Sequence, residues 1–173
     1  MKIGVISDSH YAVDVANSAL DYLRNLGIDL LIHAGDIVEL RTLQLMHAMK
    51  IPYAAVIGNN DTNLVQYKKN FNLFEQPHKF AFGGLNFKLM HHPFYLNHDA
   101  DVVIYGHTHY FAAIRENGTL FLNPGEICGR KKPLFEFAYI EAEGRNLRVF
   151  KVESPRQITP SWQKTEINLD QIS

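Results

Sequence analysis

Asp8-Ser9-His10 sets a carboxylate and an imidazole two residues apart. The same residue types return in Gly35-Asp36, Gly58-Asn59-Asn60-Asp61, His91-His92 and Gly106-His107-Thr108-His109. Carboxylate, amide oxygen and imidazole together form a mixed donor set that suits divalent transition metals. In an extended loop alternate side chains share a side, so Asp8 can act with His10, and His107 with His109. A carboxylate such as Asp36 has two oxygens and could bridge two cations. Asn59 offers a neutral carbonyl oxygen. Of the two adjacent imidazoles, His91 is preferred as a ligand because it lies nearer its strand end. Each piece also has a plain structural reading. Asp8 could cap a helix beside an exposed histidine, and Gly-Asp and Asn-Asn-Asp both favour turns.

What raises these pieces above turns is their position. Short apolar runs at residues 3–7, 30–33, 54–57, 87–90 and 102–105 each end in one of them. If the runs are strands of shared sheets, their polar ends converge on one edge, where open α/β sheets carry their ligand sites. The first sixty residues read as βαβαβ, with Asp14 capping a helix that runs to Leu26, Gly27 ending it, and a second helix over residues 40–49. That alternation implies a parallel sheet with right-handed crossovers. A third helix is expected over 62–71, capped by Thr62 or Asn63. The second half reads instead as hairpins, 79–82 with 85–90, 111–115 with 119–122, and 134–140 with 146–152. After Val152 the apolar pattern fades. The remaining segment, with the only tryptophan, Trp162, reads either as a tail draped over the domain or as a contact with a second subunit in a homodimer or higher homo-oligomer.

Composition narrows the class. A chain of 173 residues with 46% hydrophobic residues makes one domain with a core. A net charge of −1 argues against a broad basic face for nucleic acid. The single cysteine, Cys128, excludes an internal disulfide and suits a reducing compartment. Residues 1–4 enter a strand directly, without a signal-peptide layout, and no apolar run approaches the roughly 20 residues of a membrane span. The expectation is a cytoplasmic protein. His33 reads as a core histidine with a satisfied ring; His47, His78 and His98 read as bystanders, Cys128 as structural, and Lys131-Lys132 as a solvated pair. There is no Ser-His-Asp order and no phosphate-cradling glycine loop.

In order along the chain, Asp8-x-His10, Gly35-Asp36, Gly58-Asn59-x-Asp61, His91 and Gly106-His107-x-His109 resemble the calcineurin-like metallophosphoesterase superfamily, above all its small bacterial and archaeal phosphodiesterases. The opening Lys2-Ile3-Gly4-Val5-Ile6-Ser7-Asp8-Ser9-His10 and the later Asn123-Pro124-Gly125 belong to the same match, which spans residues 1–152. The resemblance implies a four-layer αββα sandwich, two mixed β-sheets face to face and flanked by helices, with a phosphoesterase domain over 1–152 and a tail over 153–173. It implies an enzyme that hydrolyses a small phosphodiester. Two divalent ions are implied, manganese foremost, with iron, nickel, cobalt or zinc as other fits. One ion would be held by Asp8, His10, Asp36 and His109, the other by Asp36, Asn59, His91 and His107, with Asp36 bridging. Hydroxide bridging the pair would attack phosphorus directly.

The chain departs from the family pattern at three places. Asn60 stands where a histidine often serves as acid, and an amide donates a hydrogen bond but no catalytic proton. His92 stands where glycine is usual; it would supply the missing proton or crowd the pocket. Glu126 stands where serine is common. Asp61 is expected to orient a neighbour. The catalytic candidates are therefore Asn60, Asp61 and His92. The competing readings are a non-catalytic metal-binding scaffold of the same fold and a nuclease. A flavodoxin-like regulator fits only the first sixty residues.

Overall fold

The computed structural model describes residues 1–169. Three short, wholly or mostly buried strands come first: β1 (Lys2–Ile6), β2 (Leu30–His33) and β3 (Tyr53–Val56). They run parallel, as burial on both faces and helical connections require. The connections are α1 (Val13–Leu26) and α2 (Leu40–Ala48). Ala16, Ala19, Leu20 and Leu23 form the buried stripe of α1, which ends at Gly27 in the left-handed region. The register sets Ile6 beside His33 and His33 beside Ala55, so the three strands end level.

The structure departs from two local expectations. Asp14 lies inside the first turn of α1, whose cap position is Ala12; its carboxylate still meets the positive end of the helix. The expected helix over 62–71 is a 3-10 helix, Thr62–Tyr67, preceded by Asp61 rather than capped by Thr62 or Asn63. The chain then turns into β4 (Leu73–Phe74), a two-residue strand added to β3.

The hairpins follow: β5 (His78–Phe82) with β6 (Leu85–Leu89), then β7 (Val102–Ile104), then β8 (Ala112–Glu116) with β9 (Thr119–Asn123), and the long pair β10 (Leu134–Glu143) and β11 (Asn146–Pro155). A last strand, β12 (Gln163–Ile167), pairs antiparallel with β11. One sheet has the order β12-β11-β10-β1-β2-β3-β4 and the other β5-β6-β7-β9-β8. Both are mixed.

Alternation along the strands separates two cores. Ile3, Val5, Leu30, Ile32, Ala54 and Val56 face the second sheet and pack on Leu85, Phe87, Leu89, Ile104 and Leu122. Ile6, Leu31, Ala55, Phe137 and Tyr139 face the helices and meet Leu20, Leu23, Leu43 and Met46. The result is the expected α/β sandwich. Among the described residues both long helices lie on the seven-stranded sheet. Over the five-stranded sheet the non-helical segment 91–101 packs instead, with His98 edge-on to Phe121. Trp162 packs edge-on to Phe137 and donates its indole N–H to Ser18 Oγ at 3.0 Å, so it lies on the chain's own first helix. No helix among the described residues is long and apolar enough to cross a membrane.

Candidate metal centre

All seven proposed ligands leave carboxyl ends of strands at the seam between the sheets. Asp8 and His10 follow β1, Asp36 follows β2 and Asn59 follows β3; His91 follows β6, and His107 and His109 follow β7. The backbone there is unusual. Asp8, His10, Asp36, Val38, His107 and His109 all have positive φ, between 44° and 67°. Residues with a Cβ hold that conformation only where the surroundings enforce it, and such strain gathers at functional sites.

Two glycines make the approach feasible. A Cβ on Gly58 would run into the Asp36 backbone nitrogen and Oδ1, and a Cβ on Gly106 would run into Ser7 Oγ, Ala34 O and Asp8 Oδ2.

The donor atoms fall into two sets around Asp36. On one side His91 Nε2 is 3.5 Å from Asp36 Oδ1 and 2.9 Å from Asn59 Oδ1, and His107 Nδ1 is 3.1 Å from Asn59 Oδ1 and 3.3 Å from His91 Nε2. On the other side His10 Nε2 is 3.5 Å from Asp36 Oδ2, and Asp8 Oδ1 is 3.3 Å from His109 Nε2 and 4.0 Å from His10 Nε2. Ligand bonds of about 2.0–2.2 Å around one cation put neighbouring donors roughly 2.9–3.5 Å apart, which is the spacing found here in all but one contact.

The hydrogen-bond pattern fits the same occupant. His91 Nδ1 donates to Ala34 O at 2.8 Å, so in the neutral ring Nε2 is a bare acceptor facing the Asn59 oxygen. His109 Nδ1 is held by Glu126 Oε2 at 2.5 Å, which turns the Nε2 lone pair toward Asp8. Asp8 Oδ2 accepts from Ser7 Oγ at 2.5 Å and from His107 N at 3.2 Å, while Asp8 Oδ1 and His10 Nε2 are buried without a partner. Acceptors crowded face to face with buried orphans among them are satisfied by cations.

Burial sets the ionisation. It pushes the Asp8 carboxyl up to about 7, against the hydrogen bond from Ser7 and the proximity of His109. Burial also opposes ionisation of Asp36, but His91, the Asn60 N–H groups and His10 outweigh it and hold Asp36 below the usual carboxylate range. Desolvation pushes His91 down to about 4, keeping the ring neutral as a ligand must be. It also lowers His10 and His107. The Cys128 thiol lies near His10 and His109, but burial and Glu126 push it up to about 12, so it stays protonated.

The three catalytic candidates are also here. Asn60 donates to Asp36 twice, through its backbone N at 2.9 Å and Nδ2 at 2.7 Å. Asp61 is fully buried and ties the loops after β2 and β3 together, accepting from Val38 N and Gly58 N at 2.7 Å each. His92 takes Gln76 Nε2 at 3.1 Å, stacks on Phe94, and has its ring 4.3 Å from that of His107. His33 is a satisfied core ring, with Nε2 3.0 Å from Ser9 Oγ and Nδ1 accepting from Gly35 N. His98 pairs with Glu116 on the surface, away from the cluster.

Sequence reasoning missed two supports. Glu126, read only as a departure from serine, holds His109. Gln76 Oε1 accepts the N–H groups of both His91 and His92, at 2.7 and 2.8 Å. Nothing in the local sequence around Gln76 signals that role.

Comparison with known proteins identifies the family. Residues 1–145 match the calcineurin-like phosphoesterase superfamily domain. Phosphodiesterase MJ0936 of Methanocaldococcus jannaschii is 28% identical over 166 residues, covering 88% of this chain and all of that protein. A solved archaeal phosphodiesterase superposes with a TM-score of 0.75 at 28% identity, over 86% of this chain and 98% of that one. Vps29 of Entamoeba histolytica, solved with zinc, shares the fold at 19% identity and a TM-score of 0.71, over 98% of this chain and all of that one. The chain belongs to the calcineurin-like phosphoesterase superfamily and is a phosphoric ester hydrolase.

Proposed function

We propose that this chain is a metal-dependent phosphodiesterase acting on small phosphodiesters, with manganese the foremost metal and the cytoplasm its compartment. The observation that carries this reading is the division of Asp36, whose Oδ1 faces His91 and whose Oδ2 faces His10. Asp8, His10, Asp36 and His109 would hold one divalent ion, and Asp36, Asn59, His91 and His107 the other. When bound, such a pair supplies Lewis-acid charge neutralisation and water ionised near neutral pH.

The remaining work falls to the chain's own groups. Asn60 fixes both oxygens of Asp36 and so cannot also be the acid. Asp61 holds Gly58 and Val38 and thereby the loops that carry Asn59 and Asp36. His92 stands beside His107 outside both donor sets and is assigned proton delivery to the leaving oxygen, a step that a good leaving group does not need.

An aryl phosphodiester assayed with added Mn²⁺ tests the proposal. Wild-type protein turns it over, and Asp36→Asn and His107→Ala lose about 100-fold or more while remaining folded. Full turnover by a folded, metal-loaded Asp36→Asn protein overturns the reading. So does a wild-type chain that takes up no divalent ion.

A further inference from the structure

Beside His10 and Asn60 lies a cavity of about 480 Å³ whose other walls are Tyr11, Val38 and Arg130. That volume exceeds what a phosphoryl group needs and lies in the range of organic-ligand pockets, roughly 300–1,000 Å³. Two of its walls are unused by the fold. Tyr11 is 78% exposed. The exposed Arg130 guanidinium pairs with no carboxylate among the described residues and touches His10 Nδ1 at 3.3 Å. The nearby Lys132 ammonium is already committed to Glu136 and to His109 O.

The Arg130 contact cannot persist at a filled centre. An arginine only donates, so it needs the His10 Nδ1 lone pair. Coordination through His10 Nε2 puts the ring proton on Nδ1, and two donors then oppose each other. Arg130 would then leave the ring, and the cavity it lines is the space open to it.

We propose that Arg130 and Tyr11 form the substrate-binding half of the site. Arg130 donates to a non-bridging phosphoryl oxygen, and the Tyr11 face stacks on a planar aromatic ester group. The preferred substrates are then phosphodiesters that carry an aryl or nucleobase group. This rests on the phosphodiesterase reading and adds its specificity.

The test is calorimetric binding to the metal-loaded full chain, with inorganic phosphate, dimethyl phosphate and diphenyl phosphate as probes. Arg130→Gln weakens all three roughly 10- to 100-fold with metal content unchanged, and Arg130→Lys recovers part of the loss. Tyr11→Ala weakens diphenyl phosphate about 3- to 10-fold and leaves dimethyl phosphate as in wild type. Unchanged phosphate affinity in Arg130→Gln, equal loss of both diesters in Tyr11→Ala, or a wild-type protein that binds no phosphate overturns the proposal. Binding needs no turnover, so a chain that binds the probes but hydrolyses nothing sinks the phosphodiesterase reading alone.

Discussion

Glu126 Oε2 stands 2.5 Å from His109 Nδ1, and Glu126 Oε1 accepts the backbone N–H groups of Lys131 and Lys132 at 2.8 and 3.0 Å. Burial opposes ionisation of this carboxyl, but His109, the two N–H groups and the Cys128 thiol outweigh it and hold it down at about 2. The ring is thereby fixed with its proton on Nδ1 and its Nε2 lone pair toward Asp8. Carboxylate support of this kind orients a ligating imidazole and raises its basicity.

Glu126→Ser therefore lowers the affinity of the Asp8-side cation by roughly 10- to 100-fold in a chelator competition, with the second cation less affected. Equal affinities in variant and wild type contradict the role given to Glu126.

Gly106→Ala drives a methyl group into Ser7 Oγ, Ala34 O and Asp8 Oδ2. Overpacking of this kind costs about 1–3 kcal/mol. The variant is expected to melt earlier and to retain less metal, measured by calorimetry and elemental analysis on the same sample.

Divalent cation is expected to stabilise the native chain by mass action. At free metal 100 times Kd the gain is about 2.7 kcal/mol, a rise in Tm of roughly 5–10 °C for a chain of this size. Chelator reverses it. In Asp36→Asn, which loses the carboxylate common to both donor sets, the rise is expected to shrink by more than half.

The acid stability of chelator-treated protein should depend on His33. Complete burial pushes this imidazole down to about 3. The unfolded ring titrates near 6.5, so between these values the unfolded chain binds a proton that the native chain refuses. Stability therefore falls as pH falls through that window, by about 1.4 kcal/mol per unit from this one group, and the loss ends near the folded value. Urea unfolding between about pH 7 and about pH 5 should show wild type losing about 2 kcal/mol more than His33→Gln.

The strand-terminal motifs were readable because strand runs and metal-type residues are both local signals. Residues 30–33 followed by Gly35-Asp36 need no distant partner to be recognised. β12 was not readable: its side chains are almost all exposed, so no alternation marks it, and it exists through pairing with β11. β4 has two residues and likewise depends on the edge of β3. Glu126 reaches His109 from 17 residues away and Gln76 reaches His91 from 15, contacts that only the tertiary arrangement creates. Thr62–Tyr67 takes the 3-10 form, and the Asp61 carboxylate before it is spent on Gly58 and Val38 and makes no side-chain cap.

The donor residues do not come from one sheet. Asp8, His10, Asp36 and Asn59 hang from the seven-stranded layer, and His91, His107 and His109 from the five-stranded one. Each proposed ion thus has anchors on both layers and works as a rivet through the sandwich. Breathing of one layer against the other would have to break it, so amide hydrogen exchange at Ala34 and Tyr105, on opposite sides of the seam, should slow together on loading.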